Sequence, residues 1–291
     1  MAYRFMEANQ SRHTIREMAE LFGVSRGAYY QWVRNGVSQR REAADAELLS
    51  LIRQIVDRHH HRYGSPRVRL ELREVYGKPV SRKRVARLMR ENGLNAQKVR
   101  KFIPTTDSKH GFLVFENILN REFHAEKAGQ KWVSDITYLR TTYGWVYLTV
   151  ILDLYDRKII GWALSSDMET AHTTIVALEM AVKNREPQDG LIFHSDRGVQ
   201  YCAQSFCDVL REKCPTVRQS MSRKGNCWDN ACAESFFKTL KRELEILNGK
   251  HSAAEVRQSV FMYIESYYNR VRMHSVLDYV APNAFNFDSV A

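Results

Sequence analysis

No stretch of this sequence approaches the run of roughly 18 uncharged apolar residues that a membrane-spanning helix needs, so such a span is excluded on length. The opening Met-Ala-Tyr-Arg-Phe-Met-Glu lacks the apolar run of a secretory signal, and the chain is expected in the cytoplasm. Cysteine is sparse. Its five copies, Cys202, Cys207, Cys214, Cys227 and Cys232, form no Cys-x-x-Cys pair and match no histidine spacing, which argues against structural zinc. An odd number in a reducing compartment also argues against a disulfide framework. Reduced thiols serving as small core residues are the expected role. What the chain does have is 291 residues, 44% of them apolar and 26% charged, enough for a substantial core and more than one domain.

The last two thirds of the chain lack any basic excess. Residues 1–110 hold 23 Lys and Arg against 11 Asp and Glu, whereas residues 111–291 hold 21 against 22. A basic arm joined to a near-neutral body is the charge pattern of a nucleic-acid-binding module on a catalytic unit.

The helical patterning of that arm supports the reading. Thr14 is placed to cap a helix with Ile15, Met18, Ala19 and Phe22 on one face, Gly23 to break it, and Ser25 to cap a second. In the second helix Ala28, Trp32 and Val33 are expected to pack back, leaving Arg26, Tyr29 and Gln31 exposed. Two short helices about a glycine turn are the pattern of a DNA-binding helix-turn-helix. A second unit follows. Ser65 is expected as a cap before Pro66, and Ser81 as the cap of a helix ending at Gly93. Val85, Leu88 and Met89 form the apolar stripe of that helix, and Arg82, Lys83, Arg84, Arg87 and Arg90 crowd the rest, as suits a helix lying along phosphates. The run His59-His60-His61 has no ligand spacing and reads as solvated. Pro104-Thr-Thr-Asp-Ser108 reads as linker.

From Lys131 the pattern changes. Residues 131–140, 144–153 and 158–166 are rich in Val, Ile, Thr, Trp and Tyr and predict three antiparallel strands. Helices are predicted over 170–184, 203–213, 229–247 and 253–268, with short strands at 191–194 and 217–221. Three strands followed by alternating helices and strands give an α/β mixed sheet, an order that matches the ribonuclease H-like architecture.

Three acids in this body lie in compact motifs: Asp135 in Trp132-Val-Ser-Asp-Ile-Thr-Tyr138, Asp196 in Phe193-His-Ser-Asp-Arg-Gly198, and Glu234 in Trp228-Asp-Asn-Ala-Cys-Ala-Glu-Ser-Phe-Phe237. Burying an unpaired carboxylate costs on the order of several kcal/mol, which a shared cation relieves. Three hard oxygen donors suit Mg²⁺ or Mn²⁺. Two such ions are a standard device for in-line displacement at phosphorus. Strand alternation aims Asp135 from the middle of a sheet face, Asp196 follows a strand at its carboxyl end, and Glu234 opens a helix whose face also carries Lys238 and Lys241. Seven residues of helix place Lys241 about 10 Å along the axis from Glu234, beyond the metals and toward a more distant phosphate. Asp229 reads as the cap of the same helix, and Asp153 and Asp156 as local turn residues.

These motifs, with Tyr63-Gly-Ser-Pro66, Val80-Ser-Arg-Lys-Arg-Val-Ala-Arg-Leu-Met89, His194-Ser-Asp-Arg-Gly-x-Gln-Tyr201, Ser220-Met-Ser-x-x-Gly225 and Tyr268-Asn-x-x-Arg272-x-His274-Ser-x-Leu277, resemble those of bacterial insertion-sequence transposases of the OrfB type. The core of that family is similar to retroviral integrases. The resemblance covers about residues 55–290. It implies a triad of Asp135, Asp196 and Glu234 holding two divalent ions, with Lys241 near the terminal DNA. It further implies cleavage of element ends, strand transfer into target DNA, an oligomer on double-stranded DNA at the nucleoid, and a possible frameshift fusion to an upstream reading frame. Here 37 residues separate Asp196 from Glu234, two more than the family usually keeps, and the surplus is assigned to a surface turn near Glu212–Val217. The expected domains are a helix-turn-helix over 1–50, a second basic unit over 51–110, a linker over 111–125, and the core with its tail over 126–291. A transcriptional regulator would account for the helix-turn-helix units but not the carboxylates. A metal-dependent nuclease of the same fold would account for the carboxylates without paired end recognition.

Overall fold

A computed structural model describes residues 2–35, 39–94, 96, 113–244 and 249–285. The chain divides into two compact units, residues 1–96 and 97–291. The linker expected at Pro104–Ser108 lies outside the described residues.

The first unit opens with α1 (Ala2–Asn9), α2 (Ile15–Leu21) and α3 (Arg26–Asn35). Thr14 Oγ1 accepts from the Glu17 amide while the Glu17 carboxylate accepts from the Thr14 amide, a reciprocal cap. Gly23 turns the chain at φ +62°, and Ser25 Oγ accepts from the Ala28 amide at 3.0 Å. Both predicted helices form. The face of α3 differs from the expected one. Tyr29 is only 2% exposed, packed with Met6, Met18 and Ala19, whereas Val33 is exposed. The cause is α1, which the sequence pattern did not reveal: its Met6 and Tyr3 cover Tyr29 and draw Trp32 in beside it. Tyr29 is therefore a core residue and not a DNA contact.

Next come α4 (Gln39–Arg58), α5 (Ser65–Glu74) and α6 (Arg82–Glu91). The expected boundary at residue 50 falls inside α4. Gly64, rather than Ser65, is the N-cap of α5, while Ser81 caps α6 as expected and Val85, Leu88 and Met89 are buried. Asp45 of α4 accepts from Arg84 Nε at 2.7 Å and Arg87 Nη2 at 2.6 Å, so two of the five helix cations fasten α6 to α4. His59 is not solvated: it is buried, its Nε2 lies 2.8 Å from Glu71 Oε2, and its ring stacks on Tyr63 at 3.8 Å.

The second unit is built on a five-stranded sheet ordered β3-β2-β1-β4-β5, with β1 (Lys131–Thr141), β2 (Gly144–Asp153), β3 (Ile159–Ser165), β4 (Ile192–Ser195) and β5 (Arg218–Met221). The first three strands form the antiparallel meander read from the sequence, and β4 and β5 run parallel to β1. One face packs against α7 (Val176–Asn184), α8 (Val199–Cys202) and α9 (Gln204–Lys213) through Trp132, Ile151, Ala177, Phe193 and Phe206. Gly161 lets α7 approach β3. A Cβ there would meet the Ala177 carbonyl and lie 2.8 Å from Ala181 Cβ. The other face packs against α10 (Ala231–Glu243) and α11 (Ala253–Phe261) through Val133, Leu148, Val150, Phe236 and Leu240. This is the ribonuclease H-like arrangement.

The stretch expected as linker belongs to this unit over its described part. Leu119 and Ala125 are buried in the core, and Ser220 Oγ accepts from the Ile118 and Leu119 amides. The C-terminal motif is equally structural. Asn269 donates to the Ile159 carbonyl and accepts from the Ile159 amide at 2.9 and 3.0 Å. Arg272 Nη2 donates to Glu243 Oε1 at 2.9 Å, and Tyr263 donates to Glu243 Oε2 at 2.9 Å, all three residues being buried. Removing one partner of such a pair strands a buried charge, so Arg272→Ala should cost about 3–5 kcal/mol. Urea unfolding of the protein measures this, and the double change Arg272→Met with Glu243→Leu should restore most of the loss.

Candidate active site

Alternation along β1 sends Asp135 and Thr137 to the α10 side of the sheet and Ser134 to the other. The parallel register pairs Lys131 with Ile192 and Val133 with His194. Continued by two residues, it brings Asp196, directly after β4, level with Asp135. Asp135 Oδ1 accepts from the Ile136 amide at 2.8 Å and Asp196 Oδ1 from the Gly198 amide at 2.9 Å. A Cβ at position 198 would stand 3.0 Å from that Asp196 oxygen, so glycine keeps the carboxylate's surroundings open. The third acid arrives on α10. Asn230 Nδ2, just ahead of the helix, donates to the Ser134 carbonyl at 2.9 Å. This fastens the start of α10 to the residue before Asp135, and Glu234 follows four positions later.

The charges of the other two acids reach Asp135. Burial pushes the Asp135 carboxyl well above the usual carboxylate range, and the charges of Asp196 and Glu234 push it further, against the Ile136 amide and Lys241. Glu234 is also raised by burial, with Lys238 opposing. Burial pushes the Lys241 ammonium down to about 8, with Asp135 pulling it back up, and its Nζ donates to Thr137 Oγ1 at 2.6 Å. Lys241 thus reaches within Coulombic range of Asp135.

Three residues around the acids carry roles that the sequence reading did not assign. Tyr201 is buried with its hydroxyl 2.8 Å from Ser134 Oγ. Burial and the charges of Asp135 and Asp196 raise it well above the usual phenol range, so it stays neutral beneath the pair. His194 lies buried between Ser220 Oγ at 2.8 Å and Ser222 Oγ at 3.2 Å, and burial lowers it to about 4, leaving it neutral. Asp229 does not cap α10. It is fully buried, accepting from the Arg223 amide and guanidinium at 2.8–2.9 Å and from Arg121 Nε at 2.8 Å. Those bonds hold it far below the usual carboxylate range. Asp153 is likewise more than local: it accepts from the Gly129 amide at 2.7 Å and pairs with Arg185 at 3.0 Å, which also holds Asp156. Among the basic candidates of the first unit, Arg26, Arg82 and Lys83 are exposed, while Arg84 and Arg87 are half-buried against Asp45.

Known proteins resemble this chain in sequence. Residues 125–227 and 216–282 match descriptions of an integrase core domain, and residues 42–102 match an HTH-like domain. The chain is 41% identical over 298 residues to "Transposase InsF for insertion sequence IS3A" of Escherichia coli (strain K12), covering 100% of both chains. It is 42% identical over 268 residues to "Insertion element IS600 uncharacterized 31 kDa protein" of Shigella sonnei, covering 92% of this chain and 97% of that one. Among solved structures, a chain of the simian T-cell lymphotropic virus intasome bound to PP2A regulatory subunit B56 gamma aligns with TM-score 0.45 and 12% identity, covering 80% of this chain and 73% of that one. The HTLV-2 integrase catalytic core domain in complex with magnesium aligns with TM-score 0.39 and 11% identity, covering 55% and 98%.

The raised Asp135 carboxyl has a definite consequence for stability. A carboxyl lifted on folding favours the folded state below its unfolded pKa and opposes it as pH rises through the folded value. In chelator at neutral pH, Asp135→Asn should therefore raise the melting temperature by at least about 2 °C, the shift that roughly 1 kcal/mol gives a unit of this size. The gain should vanish as pH falls below the ordinary carboxylate range. Calorimetry of both proteins across pH measures the difference.

Proposed function

The chain belongs to the IS3-family transposases, which carry an integrase core domain, and on that premise we propose that Asp135, Asp196 and Glu234 are its catalytic, metal-holding triad. The reading is supported by the strand register that sets Asp196 level with Asp135, and by the charges of Asp196 and Glu234, which raise the Asp135 carboxyl. The donor set fits a hard divalent cation: three carboxylates, no thiolate or imidazole, and a charge cluster that burial and repulsion disfavour until positive charge is added. Mg²⁺ or Mn²⁺, two ions per site, would supply Lewis-acid activation of the attacking and leaving oxygens.

The protein's own part is positioning. Asp135, Asp196 and Glu234 would hold the ions. Gly198 leaves Asp196 uncrowded, and neutral Tyr201 and Ser134 support Asp135 from behind. Lys238 and Lys241 line the same helix face and would receive DNA phosphates. No covalent enzyme intermediate is needed, since positioning and charge supply most of the catalysis in phosphoryl transfer. Water first, and then the freed 3′-hydroxyl, attacks a phosphodiester. The result is cleavage at the element ends followed by joining to target DNA.

The basic first unit would recognise terminal inverted repeats through exposed Arg26, Arg82 and Lys83, with Arg84 and Arg87 serving chiefly to hold α6. We place the recognition modules at 1–38 and 39–96. Joining two ends needs two active sites, so the working form would be a homo-oligomer on double-stranded DNA at the nucleoid, alone or fused to the product of an upstream reading frame.

Incubation with Mg²⁺ and a labelled element end separates joined products from cut products and from binding alone. Asp135→Asn, Asp196→Asn and Glu234→Gln should each lower joining by several orders of magnitude while end binding persists. Near-wild-type joining by any of them removes that residue from the triad. In the first unit, Arg82→Ala with Lys83→Ala should weaken end binding and flatten its salt dependence by about one phosphate contact per residue. Arg87→Ala should act mainly on stability. Binding isotherms across salt concentrations distinguish the two effects.

A further inference from the structure

Trp228 is 68% exposed although Asp229 and Asn230 beside it are buried at 0% and 3%. It lies in a 3₁₀ turn, Cys227–Asn230, immediately ahead of α10. The turn is held from both directions. Asp229 accepts from Arg223 at 2.8–2.9 Å and from Arg121 at 2.8 Å. Asn230 donates to the Ser134 carbonyl, one residue before Asp135. The indole therefore stands on an anchored turn, six residues before Glu234 and two before the asparagine tied to the strand of Asp135, and is exposed to solvent.

Burial of Trp228 contributes little to the fold. A tryptophan exposed on a rigid mount beside a DNA-processing site offers a flat platform for a base that has left its duplex. Every base has a π face to stack there, and enzymes that act on duplex ends reduce the cost of unstacking by giving the displaced base such a seat. Lys238, exposed one turn beyond Glu234, supplies positive charge for the adjoining phosphate. We infer that Trp228 stacks one nucleobase next to the scissile phosphate, holding the terminal nucleotide splayed so that its phosphodiester faces the three carboxylates. The inference rests on the reading of those carboxylates as the active site. Trp228 acts here as a substrate-positioning residue whose choice of base is tolerant, leaving sequence recognition to the basic unit.

The test uses the full-length protein and duplexes of the terminal sequence flanking the gene, each with one 2-aminopurine at a different position around the cut, in magnesium-free buffer. At one position the wild-type complex should be quenched relative to the Trp228→Ala complex at equal occupancy. Trp228→Phe should resemble wild type, and Trp228→Leu, which keeps apolar bulk without a ring of that kind, should resemble alanine. With Mg²⁺, joining by Trp228→Ala should fall roughly 5- to 150-fold, the worth of one base–aromatic stack, with phenylalanine restoring most of it. Equal emission at every position, or wild-type joining by the alanine and leucine variants, overturns the inference. Asp135→Asn separates this outcome from a failure of the active-site reading: it should show the wild-type emission pattern without joining. If it joins, the triad reading fails, while the emission pattern still judges Trp228.

Discussion

The structure turns on the negative charge that Asp196, at the end of β4, and Glu234, on α10, bring to bear on Asp135 within β1. Asp135 suffers most, because it is desolvated and faces Asp196 and Glu234 together. Tyr201, on which the charges of Asp135 and Asp196 act, and buried His194 are both held neutral by burial, and Lys241 bends back toward Asp135 through Thr137. A site so arranged is short of positive charge, and its oxygen donors define the kind of cation that would supply it.

Keeping the acids together requires that α10 be fixed at both ends. At its start, Asn230 ties the chain to β1, and Asp229 gathers Arg121 and Arg223. At its end, Glu243 is locked by Arg272 and Tyr263. Arg121 comes from the segment before the sheet and Arg272 from the C-terminal motif, so both flanks of the core are structural parts of the catalytic unit. Buried pairs of this kind contribute little net stability over apolar replacements, but they penalise any other arrangement.

The meander, the parallel strands and the helices were legible because each carries its own period and punctuation: alternating strands around Thr142–Tyr143, serine and threonine caps, and glycine stops. The three acids were legible because polar residues interrupt otherwise apolar elements. Three misreadings come from a partner outside the residue's own element. Tyr29 reads as exposed until α1 covers it, and α1 has no cap or stripe strong enough to announce itself. Asp229 reads as a cap until Arg121, 108 positions earlier, claims it. His59 reads as solvated until Glu71 and Tyr63 close over it.

The central claim is that the Asp135 carboxyl is held at high energy by its neighbours and relaxed by a divalent cation. Carboxyl-carbon NMR titration of Asp135, in chelator and then with Mg²⁺, tests it directly. The account predicts titration well above the ordinary carboxylate range without metal and a clear fall when Mg²⁺ is added. Titration in the ordinary range, unmoved by Mg²⁺, would contradict it.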